Sequence, residues 1–152
     1  MEQVSKQLQQ IVITYSEKLK SVSEDEYSFK PAPGKWSKKE ILGHLIDSAQ
    51  NNIRRFVVAQ YEDVPKIVYK QDNWVAIAGY QNYSTKELIE FWALLNNHAS
   101  IILSGMSTEA AQRKCDTNGA ELHTIEWLAT DYIRHLLHHL HQILNLEPIA
   151  YP

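Results

Sequence analysis

From residue 4 onward apolar side chains recur at steps of three and four, with Val4, Leu8, Ile11, Tyr15, Leu19 and Val22 separated by Gln, Lys and Glu. At about 100° per residue they share one face, which predicts an amphipathic first helix. The pattern stops in SVSEDEYSFKPAPGKWS, where Pro31, Pro33 and Gly34 exclude a continuing helix and favour an extended connection. Ser37 followed by Glu40 is a capping-box pair and predicts a second helix from about residue 38. Ile41, Leu42, Leu45, Ile46, Ala49, Ile53, Phe56 and Val57 form its core face, and the pattern lasts to about Gln60.

Between about Tyr61 and Tyr83 the periodicity weakens, and Pro65, Gly79, aromatics and aliphatics mix. This is read as a long, partly ordered crossover, whose Trp74, Tyr80 and Gln81 either cap one end of a cavity or bury themselves against neighbouring helices. Ser84 with Glu87 repeats the capping box, and Leu88, Trp92, Leu95, Ala99 and Ile102 mark a third helix to about Leu103. The Asn118-Gly119 turn in the next connection either caps a small hairpin or reverses the chain. Thr124 then caps a fourth helix with Glu126 in its first turn. Its apolar arc comprises Ile125, Leu128, Ala129, Tyr132, Ile133, Leu136, Leu140 and Ile143. The fold class expected is all-α: a four-helix bundle with a long crossover between helices 2 and 3.

Composition narrows the class without choosing a function. A chain of 152 residues suits one domain over 1–152 with a substantial core. With 44% hydrophobic and 22% charged residues and a formal charge of −3, neither disorder nor an electrostatic nucleic-acid footprint is indicated. The N-terminus lacks the basic-then-apolar pattern of a signal peptide, and no apolar run approaches the ~18 residues of a membrane span. A cytoplasmic protein that neither enters membranes nor binds nucleic acid is expected. The single cysteine, Cys115, has no internal disulfide partner and no feature that lowers its pKa, and is read as incidental.

The chemistry is in the histidines. DYIRHLLHHLHQIL, residues 131–144, holds four of the seven. On a helical wheel His135 and His139 fall one turn apart on a shoulder of the apolar arc, whereas His138 and His141 project toward solvent. An i, i+4 pair can place two imidazoles on one metal ion, but such a pair is also a common core-edge arrangement, and a third ligand is needed. His44 heads a polar stripe with Ser48, Asn51 and Arg55, roughly 140° from the centre of its helix's core face. That stripe is either an exposed face or the wall of a cleft between two helices. His98 is a reserve ligand candidate or a hydrogen-bonded core-edge residue, and His123 falls in a loop.

The runs GKWSKKEILGHLIDS at 34–48, the segment ending at Arg55, DNWVAIAGYQ and DYIRHLLHHLHQI resemble the DinB-like superfamily of bacterial four-helix bundles, especially its YfiT-type branch. The resemblance spans nearly the whole chain, and its specific part is a histidine in the GHL segment plus an HxxxH pair in the last helix. It implies a divalent metal, zinc or nickel, on His44, His135 and His139 with an open coordination position. It further implies an enzyme acting on a small molecule, with S-transfer from a low-molecular-weight thiol to a small electrophile first, metal-dependent hydrolysis second, and a possible homodimer. A non-catalytic metal-binding or protein-interaction bundle is the competing class. Around such a centre Asp47, Asp131 and Gln142 are candidates to orient a ligand's second ring nitrogen. Arg55 is a candidate to hold an anionic substrate group or to make an ordinary surface ion pair.

Overall fold

The computed structural model describes residues 1–151. Four long helices carry the fold: α1 (Glu2–Lys20), α3 (Lys38–Val58), α5 (Thr85–Ser104) and α7 (Ile125–Ile143). Three short helices occupy the connections, α2 (Glu24–Ser28), α4 (Gln71–Ala78) and α6 (Thr108–Ala111). A two-residue hairpin, β1 (Lys114–Cys115) with antiparallel β2 (His123–Thr124), closes around the Asn118-Gly119 turn. Asn118 takes a positive φ of 64°, a conformation asparagine tolerates in turns. Around the bundle α1 packs on α5, α5 on α3, α3 on α7, and α7 closes back on α1, so α1 and α3 are diagonal. The all-α four-helix bundle read from the apolar pattern is the fold.

The helix starts follow from local chemistry. Both capping boxes form, Ser37 with Glu40 and Ser84 with Glu87, and the Thr124 side chain accepts from the Trp127 amide. The crossover between α3 and α5 is more ordered than its weak periodicity suggests. Its residues 71–78 form α4, which Gly79 terminates in the left-handed conformation at φ 66°. Cys115 is wholly buried, and its thiol donates to the Pro65 carbonyl, fastening the hairpin to the crossover.

α3 is covered on nearly every side. Besides its apolar face it buries Lys39, His44, Asp47, Ser48, Asn51 and Asn52. Lys39 meets the Glu24 carboxylate of α2 and donates to the Tyr83 carbonyl at 3.0 Å. Asn51 and Asn52 bond back to the carbonyls of Asp47 and Ser48. Tyr80, in the short 3₁₀ turn after α4, lies flat against α3 where Gly43 has no side chain, and its hydroxyl donates to Asp47 Oδ1. The other Asp47 oxygen is buried without a partner among the described residues. Burial therefore pushes the Asp47 carboxyl up to about 7, against the opposing pull of the Tyr80 hydrogen bond.

Two predictions follow from this contact. A Cβ at Gly43 would overlap the Tyr80 ring, so Gly43→Ala should cost about 1–3 kcal/mol in denaturant unfolding. The cost should shrink in a Tyr80→Ala background, because the clashing ring is gone. The second concerns pH. Asp47 binds its proton more tightly folded than unfolded, so its contribution is full below the ordinary carboxyl value of 3.8 and is lost as pH rises through about 7. Asp47→Asn removes that loss. Measured with chelator present, its stability relative to the parent should therefore rise between pH 4 and 7, by at most about 1.4 kcal/mol per pH unit, and level off above.

Candidate metal centre

α3 and α7 face each other along their middles, and this contact brings three imidazoles together. His44 Nε2 and His135 Nε2 lie 3.0 Å apart with the rings edge to face. The His139 ring centroid is 5.0 Å from that of His44 and 4.6 Å from that of His135. One ring nitrogen from each of the three lies within 4.8 Å of the others. His44 is 1% exposed, and Trp36, at the end of the Pro-rich connection, covers it at a centroid distance of 5.1 Å. The stripe that leads from His44 through Ser48 to Arg55 is thus the wall of a cleft; a position far from the core face is still inside when the helix is enclosed.

Burial keeps the cluster neutral. It lowers His44 to about 4, helped by the nearby His139, and His135 to about 2, helped by His139, His44 and His138. His139 is also lowered, chiefly by burial, with the Gln142 hydrogen bond working in the opposite direction. Neutral imidazole is the form that offers a lone pair to a metal. Tetrahedral coordination at about 2.0–2.1 Å sets nitrogens roughly 3.3 Å apart, close to the 3.0 Å between His44 and His135, with the His139 nitrogen within 4.8 Å of both. Three inward lone pairs with no carboxylate among them form the donor set of an open rather than a closed structural site. The residues therefore fit a divalent ion.

The flanking residues divide. Gln142 Oε1 accepts from His139 Nδ1 at 3.0 Å, which leaves His139 Nε2 free to face the cluster. Ser48 Oγ stands 3.5 Å from His135 Nδ1. Asp47 and Asp131 turn instead to tyrosines: Asp47 to Tyr80, and Asp131 to the Tyr151 hydroxyl at 2.7 Å. His44 Nδ1 is buried with no partner among the described residues. Arg55 makes no ion pair among the described residues; its Nε and Nη2 both donate to the Ile67 carbonyl, at 3.2 and 3.1 Å.

His138 and His141 do not face open solvent. The chain after α7 folds back over them, so His138 Nδ1 donates to the Ile149 carbonyl and His141 Nδ1 to the Glu147 carbonyl. His141 Nε2 also accepts from the Tyr15 hydroxyl at 2.8 Å, joining the tail to α1. His98 is exposed on α5, outside the cluster, and His123 lies in β2 and stacks on Trp127 at 3.6 Å. Of the crossover residues, Tyr80 packs on α3, Gln81 bonds to Ser37 Oγ and Trp74 packs on Tyr69.

Beside the cluster a cavity of about 200 Å³ is bounded by Ser48, Asn52, Arg55, Tyr69, His135 and Tyr151, among others. Tyr69 and Tyr151 were not legible as wall residues. Both lie in segments without periodicity, so no pattern points them inward.

No curated protein sequence matches the chain. Among solved structures, YfiT from Bacillus subtilis, described as a probable metal-dependent hydrolase with an unusual four-helix bundle topology, superposes with a TM-score of 0.83. The match covers 94% of this chain and 83% of that one at 18% sequence identity. The sequence profile of the DinB superfamily matches residues 7–143, which include all four long helices for most of their length and the three clustered histidines, and on that match the chain belongs to the DinB superfamily.

Proposed function

We propose that this chain is a divalent-metal-dependent enzyme that transfers a small thiol to a carbon electrophile at the centre formed by His44, His135 and His139. The observation that carries the reading is the donor set: one buried and two half-buried imidazoles, all held neutral, no carboxylate among them, opening beside a polar cavity. When bound, zinc, nickel or a similar divalent ion supplies Lewis acidity that lowers the pKa of a thiol or a water toward neutrality. Gln142 holds the tautomer of His139, and Trp36 excludes water from His44.

The chain offers no nucleophile of its own here. Cys115 is buried beneath the hairpin, and burial pushes its thiol up. The nucleophile must come from outside, and the shortage of free bases favours a thiol over water. A thiol with a pKa of about 8.5 needs little help to ionise, whereas Asp47 and Asp131 are both engaged by tyrosine hydroxyls. In the transfer the thiol sulfur bonds to the electrophilic carbon, the bond from that carbon to its leaving group breaks, and the thiol proton departs to solvent. Hydrolysis is the second reading. The second Asp131 oxygen, which Tyr151 does not occupy, supports it as a proton acceptor for water, and so does the fold shared with YfiT.

Elemental analysis of untagged protein should find close to one divalent ion per chain. His44→Ala, His135→Ala and His139→Ala should each lose most of it, while His138→Ala and His141→Ala, which remove only tail anchors, should retain it. Equal loss in the latter pair would refute the ligand assignment. The pH dependence is a separate expectation. Protons compete with metal only below the folded-state pKa values, about 4 for His44 and about 2 for His135. Burial lowers His139 as well, so affinity in a chelator competition should begin to fall at a lower pH than the 6.5 of an exposed site. Activity belongs in a third assay. Metal-dependent conjugation of 2-mercaptoethanol to monobromobimane, absent from the His135→Ala/His139→Ala variant, supports transfer; turnover of p-nitrophenyl acetate alone supports hydrolysis.

A further inference from the structure

Among the described residues Arg55 has no acidic partner. Its guanidinium lies more than 4.0 Å from every described carboxylate, yet it is mostly removed from solvent and burial lowers its pKa. Two donors are spent on the Ile67 carbonyl and a third on Asn52 Oδ1 at 3.3 Å. A guanidinium carries five N–H groups, so Nη1 and Nη2 each keep one. The Tyr69 ring lies 6.0 Å from the Arg55 centre. Pinned from these sides, the fork borders the same cavity as His135.

That cavity, about 200 Å³, has the volume of roughly six or seven waters. Ser48, Asn52, Tyr69, Gln71 and Tyr151 give it neutral polar walls. Asp131 is its one acid, and Tyr151 occupies one of its oxygens while Arg134 stands 6.0 Å over the same tyrosine ring. A partly buried cation with no counterion among the described residues, and with free N–H groups in a fixed plane, is a recognition element for an oxyanion. One guanidinium with an acid in the same cavity suits a monoanion better than a phosphate dianion.

Resting on the metal-centre reading above, we infer that Arg55 binds the carboxylate of the substrate, so that this protein takes small carboxylate-bearing molecules whose reactive end sits at the three histidines. The structural work of Arg55, tying α3 to the crossover through Ile67, places the fork; its two remaining N–H groups select the ligand. Arg55 is a specificity residue. It does not touch the reacting atoms.

The test uses the full chain loaded with cobalt(II), whose visible spectrum reports both metal uptake and thiol ligation. Two probes are titrated, 3-mercaptopropionate and 3-mercapto-1-propanol, which present the same thiol and differ in the carboxylate. The parent protein should bind the carboxylate about tenfold more tightly or better. Arg55→Gln should bring the two affinities within about twofold, and Arg55→Lys should restore part of the difference. Asn52→Asp, which keeps an acceptor for Arg55 but sets a carboxylate against it, should abolish the preference even if Arg55→Gln fails to fold. The attraction of the metal's own charge for the carboxylate persists in every variant, so the change in ratio isolates Arg55. Equal affinities in the parent, or a preference that survives both Arg55→Gln and Asn52→Asp, would overturn the assignment while leaving a normal cobalt spectrum. No cobalt spectrum in the parent would overturn the metal centre itself and this inference with it.

Discussion

The buried polar stripe of α3 is the constraint on which the rest of the structure depends. Lys39, His44, Asp47, Ser48, Asn51 and Asn52 are all enclosed, and each polar group left unsatisfied inside a protein costs about 1–3 kcal/mol. The two asparagines are satisfied within the helix; the others need partners from elsewhere. Lys39 draws in α2 through Glu24, Asp47 fixes the turn after α4 through Tyr80, and His44 and Ser48 meet His135 on α7. The neighbours of α3 are therefore positioned by polar contacts as well as by packing. The histidine cluster takes one of its three members, His44, from the same stripe.

Much of this was legible in the sequence. The four long helices followed from apolar spacing, and their starts from capping residues that satisfy free amides, both of which are local properties. The pairing of His135 with His139 was also local, one turn on one face. What a helical wheel could not decide was whether the stripe headed by His44 is inside or outside. The wheel measures an angle from the apolar face, and when a helix is covered all round that angle no longer separates core from solvent. His138 and His141 show the same limit in reverse. They point away from the bundle, yet the chain after α7 returns over them and takes their Nδ1 hydrogens on its carbonyls.

The carboxylates mark the other boundary of the sequence reading. Asp47 and Asp131 lie within one turn of the clustered histidines in sequence, and proximity alone made them candidates to orient an imidazole. Two tyrosines from distant segments, Tyr80 and Tyr151, engage them instead. Gln142 was the flanking candidate with a local geometry, three residues from His139 on the same helix, and it reaches His139 Nδ1. α4 was missed for a related reason: its one buried residue, Val75, gives no period to read, and Gly79 ends it after eight residues.

The charge balance of the interior connects these features. Three imidazoles held neutral contribute no negative charge, the Asp47 carboxyl is pushed toward its protonated form, and Arg55 adds a cation with no ion-pair partner among the described residues. A divalent ion among the histidines would leave the region strongly positive, with Asp131 the one described acid on the cavity wall. In an enclosed site of low effective dielectric such an excess is not cheaply screened by salt. In the proposed reading, compensating negative charge arrives with the substrate. In that reading a thiol that ionises on binding supplies one unit and a carboxylate opposite Arg55 another, so that transfer chemistry and anion recognition would answer the same electrostatic deficit.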